Sequence, residues 1–300
     1  MSEQMLNLDK LKENVKNKIP LDKNTCLLAA KNGQLDCLIF AHENGCPWDE
    51  DTCKFAAANG HLGCLIYARE KKCPWNKETC IFAILNKKFI CLQFAIENGC
   101  PKDETVCRYA ALEGNLKCLK FLHENECPWN EWTCVYAVLN GHFDCLKYAL
   151  ENGCKTSFTI CRYAALKGHL NCLIFAREKN CPWDNLTAKL AVENGHLDCF
   201  QYAVENGCPW EKEKCLKIAK KKKRTLIVSF IENFKEKTIK DQSADNLKIS
   251  TTCEICLTNK KCVAYEPCGH FSSCHSCADQ MKNCPHCRQK IFNLFEIFFL

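Results

Sequence analysis

Between residues 24 and 235 the hydrophobic pattern restarts every 27 residues, with Cys46, Cys73, Cys100, Cys127, Cys154, Cys181 and Cys208 marking the period. Within one unit, Cys53, Ala56 and Ala57 fall at i, i+3 and i+4, one apolar stripe of a helix. Asp51 or Thr52 is the expected N-cap, and Asn59-Gly60 the stop, with glycine taking the left-handed residue. His61 then opens a second helix that carries Leu62, Leu65 and Ala68 on one face, with Cys64 beside them. A polar turn leads to the next Cys-Pro, where proline blocks further helix. Each unit is therefore predicted as two short helices. Neither can bury its stripe alone, so stacked units are expected to bury it between neighbours, as in a solenoid.

Both ends of the pattern read as caps. Residues 1–23 predict a polar capping helix, and 215–234 an eighth, degenerate unit that ends in TLIVSFIENF. Five of the seven marker cysteines are followed by Pro-Trp: Trp48, Trp75, Trp129, Trp183 and Trp210. Because these tryptophans repeat unchanged, they are expected to pack between units rather than bind a ligand. Histidines at the start of the second helices, His61, His142, His169 and His196, read as hydrogen-bonding groups between units. Binding specificity is expected where the units differ. One such set is Leu27, Lys54, Ile81, Arg108, Val135, Arg162 and Lys189; the other is the tripeptide after each Pro-Trp.

Twenty-nine cysteines would suit a disulfide scaffold, but most follow the 27-residue period. Equivalent residues of stacked helices lie about 10 Å apart, beyond a disulfide's reach. They are expected to be reduced, buried, small hydrophobes. The formal charge of +6 is local, since residues 211–224 hold eight basic and two acidic side chains. A broad nucleic-acid-binding face is thus not expected. The run Lys220–Arg224 reads either as a solvated turn or as a nuclear localisation signal. No apolar run is long enough to span a bilayer, and the polar N-terminus lacks a signal peptide's apolar stretch. A cytoplasmic or nuclear location is expected, or host cytoplasm for a viral protein.

The segment TCKFAAANGHLGCLIYA (52–68) resembles the ankyrin pattern T-P-L-H-x-A-A-x-x-G-H, over residues 24–235 in all. The unit is shorter than the usual ankyrin repeat of about 33 residues. Cys-Pro-Trp stands where ankyrin repeats build a β-hairpin finger. The short form is similar to ankyrin-like proteins of large DNA viruses of amoebae. The resemblance implies an all-α solenoid that binds proteins.

After a polar linker, 236–251, the chemistry changes. Cys253, Cys256, Cys268, His270, Cys274, Cys277, Cys284 and Cys287 make the pattern C-x2-C-x11-C-x-H-x3-C-x2-C-x6-C-x2-C. Eight ligands complete two tetrahedral zinc sites, and small modules of this kind fold only around metal. Residues 252–290 resemble the RING finger of inhibitor-of-apoptosis proteins, including its P-C-G-H and C-P-x-C-R blocks. That resemblance implies a small α+β fold with two Zn2+ ions in a cross-brace. Cys253, Cys256, Cys274 and Cys277 share one ion; Cys268, His270, Cys284 and Cys287 share the other.

The same resemblance implies a ubiquitin ligase that binds a ubiquitin-conjugating enzyme charged with ubiquitin. Ile255, Met281 and Pro285 match the family's surface for that enzyme, and Arg288 the residue that pins ubiquitin to its carrier. A plain solvated charge is the simpler reading of Arg288. The apolar tail 291–300, IFNLFEIFFL, matches the family's dimer contact, with Phe299 in register to touch ubiquitin on the other subunit. Packing of the tail on its own RING is the alternative. For the whole chain two readings stand: a ligase whose solenoid selects the substrate, or a non-catalytic scaffold with a structural zinc finger.

Overall fold

A computed structural model describes residues 6–234, 263–266, 271–273 and 293–296. The chain divides into two compact units, Met1–Glu232 and Asn233–Leu300. In the first, helix α1 (Leu8–Lys16) precedes eight helix pairs. The pairs are α2 (Lys23–Lys31) with α3 (Leu35–Glu43), α4 (Glu50–Asn59) with α5 (Leu62–Glu70), and α6 (Lys77–Leu85) with α7 (Phe89–Glu97). Next come α8 (Glu104–Leu112) with α9 (Leu116–Glu124), α10 (Glu131–Leu139) with α11 (Phe143–Glu151), and α12 (Phe158–Lys167) with α13 (Leu170–Glu178). The last are α14 (Asn185–Asn194) with α15 (Leu197–Glu205), and α16 (Lys212–Lys221) with α17 (Thr225–Asn233). Successive first helices pack more intimately than successive second helices.

The core repeats with the sequence. Leu38, Leu65, Leu92, Leu119, Leu146, Leu173 and Phe200 stand 27 residues apart on the second helices, and all are fully buried. Small residues fill the first helices, where Ala56, Ala57, Ala110, Ala111, Ala164 and Ala165 have no exposed surface. Nine- and ten-residue helices are too short to persist alone in water, so this shared burial is what holds them.

The N-cap lies two to three residues earlier than the sequence suggested. Asp49, not Asp51 or Thr52, caps α4: its backbone is extended and its carboxylate accepts the Asp51 N–H at 3.1 Å. Asn76, Asp103 and Asn130 repeat this geometry at 27-residue steps. Thr52 is fully buried behind the cap. At the far end of α4, Gly60 takes the expected left-handed conformation at φ 83°.

All twenty-one described cysteines are free and buried. The thiols of Cys46, Cys73, Cys100, Cys154 and Cys208 donate to the carbonyl of the residue 24 positions earlier, at 2.9–3.3 Å. That carbonyl belongs to the N-cap of the preceding unit, so the thiol ties one unit to the next. A contact that the sequence did not suggest joins residues 20 apart. The thiols of Cys26, Cys107 and Cys161 donate to the carbonyls of Cys46, Cys127 and Cys181 at 3.8–3.9 Å. Comparing equivalent positions only, as a ladder, misses this pairing.

In the second unit, β1 (Val263–Glu266), β2 (Phe271–Ser273) and β3 (Asn293–Glu296) form an antiparallel sheet of order β2-β1-β3. Val263 pairs with Ser273 on one side and Glu296 on the other. Strand β3 lies within the apolar segment 291–300, so that segment supplies an edge strand of the sheet.

Candidate functional sites: the solenoid edge and the zinc module

The tryptophans are occupied within the fold. Trp48 stacks on His42 of the preceding unit with centroids 3.8 Å apart, and its edge meets Tyr67 of its own unit at 6.3 Å. Trp129 lies between His123 and Tyr148 in the same way. In two other units arginine replaces histidine: Arg69 covers Trp75 at 3.9 Å and Arg177 covers Trp183 at 4.1 Å. Trp210 differs, packing edge-on against Phe200 at 5.4 Å. These rings are inter-repeat packing groups, as expected from their periodicity.

Histidines at the second-helix starts also bind neighbours. His61, His142, His169 and His196 lie over Gly33, Gly114, Gly141 and Gly168 of the preceding units, so closely that a methyl there would meet the ring within 3 Å. His196 Nε2 lies 3.1 Å from the Leu166 carbonyl, which assigns its proton to that nitrogen. Burial pushes the His169 imidazole below its ordinary pKa, against a hydrogen bond to Leu139 that raises it.

The two candidate binding sets separate. Ile81 and Val135 are buried, at 8% and 0% exposure, and so cannot meet a partner. Lys54, Arg108 and Arg162 form half-exposed ion pairs with Asp51, Glu104 and Asp184. Arg162 holds the Asp184 carboxyl below the usual carboxylate range. At these five positions variation therefore records packing and charge pairing, while Leu27 is half-buried and Lys189 is exposed and pairs with Glu193. The tripeptides open the first helices, and their first residues, Asp49, Asn76, Asn130 and Asp184, are N-caps. Trp132 and Leu186 of the tripeptides, with Phe158 from the unit that lacks Pro-Trp, are 40%, 37% and 46% exposed, on three consecutive first helices, α10, α14 and α12. Beside them Phe55, Phe82, Tyr109, Tyr136 and Tyr163 run as a half-buried aromatic stripe one unit apart. The sequence held this stripe as a period of 27, but only the helix faces reveal that it borders solvent.

No group of three or more His, Cys, Asp or Glu side chains among the described residues could hold a metal. No described helix is long and apolar enough to cross a membrane. The predicted ligands Cys253, Cys256, Cys268, His270, Cys274, Cys277, Cys284 and Cys287 lie outside the described residues, as do Ile255, Met281, Pro285, Arg288 and Phe299. Strand β2 occupies the interval between His270 and Cys274 in the sequence, and β1 that between Cys256 and Cys268. Seven thiols and one imidazole, spaced as four pairs, form a donor set that suits tetrahedral zinc.

Residues 249–294 match the family model of the C3HC4-type zinc finger, the RING finger, and residues 107–185 match that of ankyrin repeats in three copies. The chain joins ankyrin repeats to a C-terminal RING finger. The ankyrin–RING chain is 42% identical over 43 residues to the putative RING finger protein 157L of Invertebrate iridescent virus 6, covering 14% of this chain and 28% of that protein. It is 38% identical over 52 residues to death-associated inhibitor of apoptosis 2 of Drosophila melanogaster, covering 17% and 10%. Over 47 residues it is 45% identical to the E3 ubiquitin-protein ligase RGLG4 of Arabidopsis thaliana, covering 16% and 11%. It thus spans less than a third of the length of each of these relatives. Its RING finger implies zinc binding, and its repeats imply protein binding.

Proposed function

We propose that this chain is a RING-type ubiquitin-protein ligase whose ankyrin repeats select a protein substrate. The ordered set of eight zinc ligands inside the RING match carries this reading. Likeness to relatives that include a named E3 ligase supports it. Two bound zinc ions, one on each cross-braced set, would hold the module folded. Ile255, Met281 and Pro285 would seat the charged conjugating enzyme. The substrate lysine amine attacks the thioester carbonyl, the carbon–sulfur bond breaks, and an isopeptide bond forms with no covalent link to the ligase. Arg288, with its planar fork, would donate to carrier and ubiquitin together and hold the thioester in the attacked conformation. A reducing compartment, cytoplasmic or nuclear, suits a core built on so many buried thiols.

The test is autoubiquitylation by the zinc-loaded chain with a panel of conjugating enzymes. Ubiquitin chains are expected with at least one enzyme, and none with any at full zinc occupancy sinks the proposal. In the same assay Arg288→Ala should keep zinc and fold but slow transfer about tenfold or more, the worth of a charged hydrogen-bonding contact. Transfer at the wild-type rate would leave Arg288 a surface charge.

The tail reading, a homodimer with Phe299 against ubiquitin of the other subunit, needs a truncation that spares β3. Removing residues 297–300 should yield a monomer by light scattering, with weaker transfer. A wild-type chain that is already monomeric refutes the pairing.

On the solenoid, the exposed trio is the proposed substrate anchor. Trp132→Ala with Phe158→Ala should weaken substrate capture about a hundredfold, as for loss of two interface hot spots, while autoubiquitylation is unchanged. Equal substrate ubiquitylation by this variant would move the substrate surface elsewhere.

A further inference from the structure

The last helix pair departs from the others at its turn. Elsewhere this turn reads Asn-Gly-His or a close variant, and it needs one residue in the left-handed region and one side chain laid over the preceding unit. Here the sequence is Lys220-Lys221-Lys222-Lys223-Arg224. Lys223 takes the left-handed conformation at φ 56°, and Arg224 lies over Gly195, so these two meet the structural need. Lys220 pairs with Glu232 at 2.9 Å and Lys214 with Glu211 at 2.6 Å. Lys217, Lys221, Lys222 and Lys223 are exposed and have no acidic partner among the described residues. Lys217 and Lys221 are one helical turn apart and continue directly into Lys222 and Lys223, so four like charges crowd one terrace. The α16 dipole favours cations at its C-terminus but is screened by salt and does not call for four. Lys223 also lines a groove of about 600 Å3, together with Arg224, Thr225, Val228 and the ion-paired Lys220 and Glu232 among others.

We infer that this terrace and groove form a docking surface for an acidic polypeptide segment. Charge complementarity favours it, since residues 211–224 hold eight basic and two acidic side chains while residues 1–210 hold 24 basic and 25 acidic. The groove has the size for carboxylate side chains, and Leu226, 71% exposed, gives an apolar neighbour for a residue between them. A single-stranded nucleic acid needs stacking platforms, yet Trp210 and Phe230 both pack on Phe200. A bilayer surface takes several apolar side chains, and Leu226 is the one large apolar side chain so exposed on this pair among the described residues. Lys220 and Lys221 are helical and Lys222–Arg224 form a tight turn, so the run is not presented as an extended peptide.

The experiment uses the zinc-loaded full chain and a fluorescein-labelled decaglutamate, with a thymidine 20-mer and phosphatidylserine-containing vesicles as parallel probes. The variant is Lys217→Gln, Lys221→Gln, Lys222→Gln and Lys223→Gly, the last being the residue other units use. Decaglutamate should bind the wild type in a salt-sensitive way, and about tenfold more weakly the variant, whose melting is unchanged. Equal binding by the two proteins, or no binding to the wild type, overturns the inference. So does tighter variant-sensitive binding of the nucleic acid or the vesicles than of the peptide. The readout is independent of ubiquitin transfer, so a catalytically silent chain that binds decaglutamate upholds this inference alone.

Discussion

Raising the pH from 8 to 11 is expected to unfold the ankyrin solenoid in one cooperative step, through its thiols. Burial pushes Cys64, Cys118, Cys172 and Cys181 up to about 11, and Cys145, Cys161, Cys199 and Cys208 up to about 12. In the unfolded chain the same thiols ionise near 8.5. The folded state therefore keeps its protons longer. Its advantage is complete below the unfolded value and is lost as pH rises toward the folded values. Burial raises Tyr67, Tyr148 and Tyr202 too, with the same sign. Three loop thiols, Cys46, Cys127 and Cys154, are pulled down by the S–H of their partners. Three such groups do not offset eight. At about 1.4 kcal/mol for each tenfold change in ionisation, the eight exceed the ~5–15 kcal/mol that holds a domain folded. Circular dichroism at 222 nm against pH, with melting temperatures at each step, reads the effect. Iodoacetamide at pH 8 should leave these thiols unmodified until denaturant is added. A melting temperature at pH 10.5 equal to that at pH 8 would falsify this account.

That the thiols form a core was legible in the sequence, because Cys53, Ala56, Ala57, Cys64 and Leu65 recur with the period of the fold. The sulfur contact of residues 20 apart was not, since a repeat pattern shows which positions are equivalent and not which inequivalent ones touch. The N-cap was misplaced for a similar reason. Asp49, Asp51 and Thr52 are all capping types, and the backbone, extended at Asp49 and helical from Glu50, selects the first. Binding positions were half legible. Variation at Ile81 and Val135 tracks packing inside the stack, while variation in the tripeptides leaves Trp132 and Leu186 in solvent. Helical spacing alone cannot tell these cases apart, because both lie on first helices. The RING finger was legible from eight ligands whose order identifies the module without any geometry.

Gly141→Ala is expected to destabilise the solenoid by roughly 2–4 kcal/mol, through two separable effects. Gly141 sits at φ 73°, where a side chain costs about 1 kcal/mol. The added methyl would also lie 2.7 Å from the His169 ring, which must then shift. Gly153 separates the terms: its φ is 81°, but nothing lies within 4 Å of the added carbon. Gly153→Ala should therefore cost only the backbone part. The chain itself shows how the collision is relieved. Lys87 holds the same turn position at φ 59°, and the residue facing it in the next unit is the short Asn115 instead of histidine. Asn115 turns back on its own helix, where its side chain accepts the Cys118 N–H at 3.0 Å. Gly141→Lys combined with His169→Asn should reproduce that arrangement, with residue 169 capping onto Cys172. Its stability should return to the level of Gly153→Ala, measured by urea unfolding. If Gly141→Ala is no worse than Gly153→Ala, the histidine row does not lock the stack, and the glycines serve the turn alone.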